Sequence, residues 1–470
     1  MPDVREYVLR TPPGGVKRYD HEALCDLLEV EDYSRVIFEQ GVGREAIVRV
    51  YPANPLMGVR SVTRDDLVMD ARGRIQLGTY FDGSPLRFRL FDPKTGNAQR
   101  GAVFGTTGAG KSRLVQAILV ACKNSGIVVH LADLKHGQSV PEATGQVATR
   151  VTTQYEAILM LRGLVAEAER RMAAYAKMGR SGFVIGAPDP LTYGIIDEAN
   201  RLLEKGALFR AEAALLIKEL GRTGRSVGVG IIIAAQAGHL DELGGSDTLR
   251  GMLKEGEVIL LRWSSAMMQQ LVSDGLLPRG EALQPIPKVV GQICKIRRYN
   301  EQRADDEDDV NSQGMLYHLT SVRPTSMART HVVGSVEPCT GYDPVILDLY
   351  GPGTPPGEPI DLMRYVTEQE LKALADSDDG QGLAGPAAAG AAAATAAPPA
   401  APRSLAERIL AILPPEGMTA PDLMVALDAD GCSTKPVRRG TLNTTLSTMR
   451  SQGKLPRPDG TGRIVPLPAD

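Results

Sequence analysis

The chain has 470 residues, 43% of them hydrophobic and 23% charged, with a formal net charge of -3. That length holds roughly two to four domains, and the near-balanced charge excludes a chain that is basic throughout, so any nucleic-acid contact must come from a local patch. Its five cysteines form no C-x-x-C and its six histidines show no ligand spacing, which suggests neither a zinc site nor a disulfide framework and fits a reducing, cytoplasmic compartment.

The N-terminus, MPDVREYVLRTPPGG, lacks the apolar core of a signal peptide. Residues 1–95 mix short strand-like runs (EYVLR, SRVIFE, EAIVRVY, RFRLF) with turn signals such as PPGG and FDGSP. They read as a small α/β domain with no recognisable chemistry, packing on the larger domain C-terminal to it.

From residue 96 onward, strand and helix patterns alternate. Candidate strands are GAVFG, GIVVHLAD (126–133), LTYGIID (191–197), VGVGIIIAAQ (227–236), EVILLRW (257–263) and VVGQICKI (289–296). Continuous apolar runs of this kind are expected of parallel strands covered on both faces. The longest helical pattern, about 153–178, carries apolar residues at three- and four-residue spacing and a solvated Glu/Arg face. The segment is read as a doubly wound α/β domain over 96–377, with the acidic run EQRADDEDDVN as a solvated loop and 311–377 as an extension. The longest apolar stretch, 227–238, is too short and too glycine-broken to cross a bilayer.

Residues 378–403 are Ala/Gly/Pro-rich and read as a flexible linker. Residues 404–470 then read as three short helices and a hairpin with DGTG at its tip, the pattern of a winged helix. Between Ser433 and Arg463 seven basic residues stand against the single acid Asp459. Lys435, Arg438, Arg439, Arg450, Lys454 and Arg463 are the candidate DNA contacts, on the expected recognition helix and wing. A protein-binding winged helix is the alternative.

The chemistry is concentrated near GTTGAGKS, Gly105 to Ser112, which fits G-x-x-x-x-G-K-[ST] at every fixed position between a strand and a helix. The backbone of Gly105, Thr106, Thr107, Gly108, Ala109 and Gly110, with Lys111, Ser112 and Arg113, would cradle a nucleoside triphosphate. Lys111 would neutralise its outer phosphates, and the Ser112 hydroxyl would ligate Mg²⁺. YGIIDEAN ends its strand on Asp197, a candidate for the Mg²⁺ water shell, and Glu198, a candidate to polarise the attacking water. Gln236 ends the next strand as a candidate γ-phosphate sensor. Arg222 and Arg225 in GRTGRSVG precede that strand, and position alone does not separate a donated arginine from a surface one.

Over roughly residues 75–300 these motifs resemble the FtsK/SpoIIIE family of double-stranded DNA translocases. HLADLKHGQS is similar to the family's Asp-Pro-Lys segment, with Leu134 where proline is usual. IIDEANRLL is similar to its Asp-Glu-x-x-x-Leu block. RSVGVGIIIAAQ is similar to its arginine-to-glutamine block, with Ala235 where threonine is usual. The resemblance implies a RecA-like motor with ATP and Mg²⁺ as cofactors, a homo-hexameric ring and duplex DNA as substrate. It also implies that Arg225 is an arginine finger given to the neighbouring subunit. A motor with a C-terminal winged helix is similar to the Tra proteins of actinomycete conjugative elements, which implies a membrane-bound transfer partner. Residues 237–250 are a candidate pore loop. Two rivals remain open: a secretion-coupling or packaging ATPase, and an NTP-dependent regulator whose winged helix binds an operator.

Overall fold

A computed structural model describes residues 3–12, 20–40, 45–58, 60–236, 246–262, 286, 311–320 and 323–370, together with scattered positions between 409 and 464. The chain divides into two units, Met1–Leu371 and Lys372–Asp470.

The first unit begins with a three-stranded antiparallel sheet, β1 (Arg5–Arg10), β2 (Val36–Gln40) and β3 (Glu45–Val50), in the order β1-β3-β2. Helix α1 (His21–Leu27), capped by the Asp20 carboxylate on two backbone N–H groups, packs there around Cys25, Val36, Val48 and Val50. β4 (Arg74–Tyr80) and β5 (Pro85–Arg89) come next, then the short pair β6 (Phe91–Asp92) and β7 (Asn97–Ala98).

After these come β8 (Arg100–Gly105), α2 (Lys111–Asn124), β9 (Val128–Asp133), β10 (Thr149–Val151), α3 (Gln154–Lys177) and β11 (Thr192–Asp197). They are succeeded by α4 (Asn200–Leu203), α5 (Arg210–Thr223), β12 (Val229–Ala235), α6 (Asp247–Lys254) and β13 (Glu257–Leu261). β14 (Met315–Thr320), β15 (Arg323–Thr330) and α7 (Pro344–Tyr350) complete the unit.

One ten-stranded sheet organises it, in the order β10-β9-β11-β12-β8-β13-β14-β15-β4-β5. The half from β10 to β13 is parallel, and from β13 onward every pairing is antiparallel. β8, β9, β11, β12 and β13 are buried at every position, which is why they read as unbroken apolar runs. Helix α2 is buried without interruption from Leu114 to Cys122, so it runs through the core rather than along the surface. A buried relay staples the two halves together: the Tyr80 hydroxyl lies 2.6 Å from His318 Nδ1, and His318 Nε2 lies 2.6 Å from Glu257.

The structure corrects three expectations. Residues 74–89, assigned to an N-terminal domain, form two strands of the main sheet. Residues 315–330, expected only as an extension of the α/β domain, supply two more. The Glu/Arg face of α3 is not wholly solvated. Arg171 is 2% exposed, pairs with Glu167 and donates to the carbonyls of Pro190 and Val227. The strand expected at 289–296 and most of the acidic run lie outside the described residues.

In the second unit, Ile409, Leu423, Leu427, Leu442, Leu446, Met449 and Ile464 share a core. Helix α8 (Ala420–Ala429) comes directly after β16 (Met418–Thr419), which pairs with β17 (Arg463–Ile464). The linker and the candidate contacts Lys435, Arg438, Arg439, Arg450 and Lys454 lie outside the described residues, and Arg463 is described there only as a strand residue.

Candidate nucleotide site

The register of the parallel strands gathers the site at their carboxyl ends. Gly105 pairs with Leu261 of β13, Phe104 with Ala235 of β12, and Ile196 of β11 with Ile233. The segments leaving β8, β11, β12 and β13 therefore converge on one edge, where ligands bind in such sheets. The phosphate loop leaves β8 there. Thr107 and Gly108 are exposed at its mouth and Ala109 is buried beneath. Gly110 caps α2 at φ +101, a backbone that side-chain-bearing residues avoid. The helix then begins on Lys111, so its free N–H groups and dipole face the loop.

Lys111 is 7% exposed, and its Nζ lies 2.6 Å from Glu198 Oε1 and 3.2 Å from Asp197 Oδ1. Gln236 Nε2 donates to Glu198 Oε2 at 3.0 Å. Sequence positions 111, 197, 198 and 236 thus form one hydrogen-bonded cluster. Glu198 sits at φ +55, an uncommon conformation for a residue with a side chain, held while its carboxylate is shared between a lysine and a glutamine.

Asp197 is fully buried. Its Oδ1 accepts from Lys111 and from the Glu198 N–H, and its Oδ2 has no hydrogen-bond partner among the described residues. Burial pushes its carboxyl above the ordinary carboxylate value, opposed by Lys111. An orphaned buried carboxylate oxygen facing a phosphate loop fits the water shell of a divalent cation, and Asp197 and the half-buried Ser112 are the residues that would hold Mg²⁺. Among the described residues no group of three or more His, Cys, Asp or Glu side chains forms a metal site by itself.

A cavity of about 370 Å³ opens beside this cluster, lined by Lys135, Gln154, Glu198, Asn200, Arg201, Glu204 and Gln236. Asp133 is not a free ligand toward it: its carboxylate accepts from the N–H groups of Lys135, Ser139 and Val140 and so shapes the loop that carries Lys135.

Two predicted residues stand apart. The Arg113 guanidinium turns from the loop to Asp343 Oδ2 at 2.9 Å and the Ser335 carbonyl, leaving only its backbone at the loop. The neighbouring positive charge and Ser335 help hold the Asp343 carboxyl down to about 2 despite burial. Arg225 lies before β12, with Nε 3.4 Å from the Ala98 carbonyl, at the opposite end of that strand from Gln236. It is absent from its own chain's cluster.

Sequence reasoning missed Arg262, the residue after β13, whose Nη2 donates to the Thr107 carbonyl at 3.1 Å. The available signal was a charged residue immediately after a continuous apolar strand.

No family model and no curated protein matches the sequence. Among solved structures, the chain is similar to the pCW3 conjugation coupling protein TcpA, with 16% identity over 70% of this chain and 85% of that one at a TM-score of 0.46. It is similar to the cytoplasmic domain of the Thermomonospora curvata Type VII secretion ATPase EccC, with 23% identity over 64% of this chain and 34% of that one at 0.45. It is also similar to EssC from Geobacillus thermodenitrificans, with 13% identity over 64% of this chain and 50% of that one at 0.44. The match spans about a third and a half of those last two chains. None of the three reaches a TM-score of 0.5.

Proposed function

We propose that this chain is an ATP-dependent motor that moves double-stranded DNA, working as a hexameric ring with a winged-helix recognition head at 404–470 and a flexible linker at 378–403. The observation that carries the ATPase part is the Lys111–Asp197–Glu198–Gln236 cluster at the carboxyl edge of the parallel strands. The order β13-β8-β12-β11-β9 supports a RecA-like motor, since β12 lies between the phosphate-loop strand and the strand that ends in Asp197.

MgATP, when bound, supplies the phosphoanhydride whose terminal phosphoryl group passes to water. With it bound, Lys111 would give up its two carboxylate partners for phosphate oxygens, a short movement of a flexible side chain. Glu198 would then be free to orient and deprotonate water, and Asp197 and Ser112 would hold the cation. Gln236, already bonded to Glu198, transmits the state of the site along β12. Arg225 serves the neighbouring subunit, and transfer of a conjugative element with a membrane-bound partner is the setting that the Tra resemblance supports.

ATP turnover measured with and without linear duplex DNA tests the reading, with Lys111→Ala as control. Stimulation by duplex of any sequence, abolished in the variant, is expected. An unstimulated low rate with tight binding to one DNA sequence makes the chain a nucleotide-dependent regulator instead.

A further inference from the structure

We infer that Arg262 is a second nucleotide-binding cation acting within its own chain, its guanidinium supplying positive charge to the phosphates held by the Gly105–Ser112 loop. The inference rests on the proposed nucleotide site and adds a residue that the loop motif does not contain.

Position comes first. Leu261 pairs with Gly105, so the next residue lies beside Thr106. The Thr106 hydroxyl donates to the Arg262 carbonyl at 3.2 Å, and Arg262 Nη2 donates to the Thr107 carbonyl at 3.1 Å. A Cβ placed on Gly108 would sit 3.3 Å from the same Nη2. The guanidinium therefore lies against the exposed mouth of the loop.

Charge comes second. Arg262 is 5% exposed, and an arginine does not escape burial by losing its proton. The other fully buried arginines of the parallel half, Arg100 and Arg171, each have a carboxylate: Arg100 has Glu255 and Arg171 has Glu167. Arg262 has none among the described residues. Beyond Thr107, its contact is the neutral Asn311 amide oxygen at 3.4 Å.

A buried cation without counter-charge is costly. An anion-binding loop within hydrogen-bond reach is where an ionic ligand offsets that cost. Arg329 is also buried with no carboxylate among the described residues, but it is committed to backbone. It donates to the carbonyls of Leu56, Asn311 and Gln313 and so fixes the turn whose Gly314 N–H donates to Ala109.

The test titrates the full-length protein with the ATP analogue AMP-PNP and with ADP, both with Mg²⁺, for wild type, Lys111→Ala, Arg262→Gln and Arg262→Lys. Arg262→Gln is expected to weaken AMP-PNP by about tenfold or more, the size of one charge-assisted hydrogen bond. ADP should be weakened less because it carries less charge. Arg262→Lys should recover most of the loss. The ligand-free unfolding temperature of Arg262→Gln should not fall, since the substitution removes a buried charge that has no carboxylate among the described residues. Unchanged affinity in Arg262→Gln, or an equal loss for both nucleotides, overturns the inference; the second result makes Arg262 a clamp on loop shape. If wild type binds neither nucleotide, the nucleotide site itself fails and takes this role for Arg262 with it. If wild type binds and Lys111→Ala does not, only the behaviour of Arg262→Gln decides.

Discussion

Asp197 stays in this protein at a cost to the fold. It is fully buried, one of its oxygens has no partner among the described residues, and burial raises its carboxyl above the ordinary value of 3.8 while Lys111 pulls the other way. A carboxyl with a raised pKa in the fold binds its proton more tightly there than in the unfolded chain. Its stabilising share is therefore fully present below pH 3.8 and lost as pH rises through the folded value. The ionised form of Asp197 is therefore the less favoured one in the nucleotide-free fold. Asp197→Asn should accordingly leave the ligand-free unfolding temperature unchanged or raised, while Mg²⁺-dependent hydrolysis falls by about a hundredfold or more. A marked drop in unfolding temperature would show that the carboxylate is there to hold Lys111 rather than a cation. Glu198 makes a parallel case: its φ of +55 is tolerated because two side chains bind the carboxylate it presents.

At the scale of elements, the parallel half of the sheet is fastened on the α3 side by a strap, residues 357–370. Arg162 on α3 makes a two-pronged pair with Glu370 at 2.9 and 3.1 Å, donates to the Tyr365 carbonyl, and reaches Glu212 on α5. The Ile360 N–H donates to the Thr149 hydroxyl on β10, and Ile360 covers Gly163 so closely that a Cβ there would meet it at 2.7 Å. Arg162 helps hold the Glu370 carboxyl down to about 2 from 4.5, so this share of stability is present above pH 4.5 and is lost as pH falls through about 2. Arg162→Met should cost about 2 kcal/mol and open 351–370 to limited proteolysis. Unaltered cleavage there would mean that Ile360 and Thr149 hold the strap without the ion pair.

None of this was legible in the sequence, because YGPGTPPGEP carries turn chemistry but no periodicity. The same limit explains β14 and β15, whose place between β13 and β4 is fixed by long-range pairing and by the Tyr80–His318–Glu257 relay. The parallel strands and the loop were legible, because continuous apolar runs and G-x-x-x-x-G-K-S encode burial and anion binding locally. Arg171 and Arg262 were misread or missed for one reason: hydrophobic periodicity places charged residues outside, and only a tertiary partner shows when one goes in.

At the scale of the whole molecule, the separation of Arg225 from the cluster gives the ring model its sharpest consequence. Arg225 precedes β12 and Gln236 comes just after it, so seven strand residues lie between them, roughly 20 Å of extended chain. A guanidinium at one end of the strand cannot reach phosphates at the other. If it acts on hydrolysis at all, it acts on a second copy through a head-to-tail contact of the kind that closes into rings. Arg225→Ala alone should bind nucleotide normally and not hydrolyse it. Lys111→Ala alone should fail to bind. Mixed before assembly, the two inactive proteins should regain activity, because a site whose loop comes from the Arg225→Ala chain and whose arginine comes from the Lys111→Ala chain is intact. Random mixing gives about a quarter of sites that composition. A mixture as inactive as its parts, under conditions where wild-type subunits exchange, would mean that Arg225 serves its own chain through the Ala98 carbonyl and the Arg100 neighbourhood. The donated-arginine ring would then be lost as a mechanism, while the Lys111–Asp197–Glu198–Gln236 site would stand unchanged.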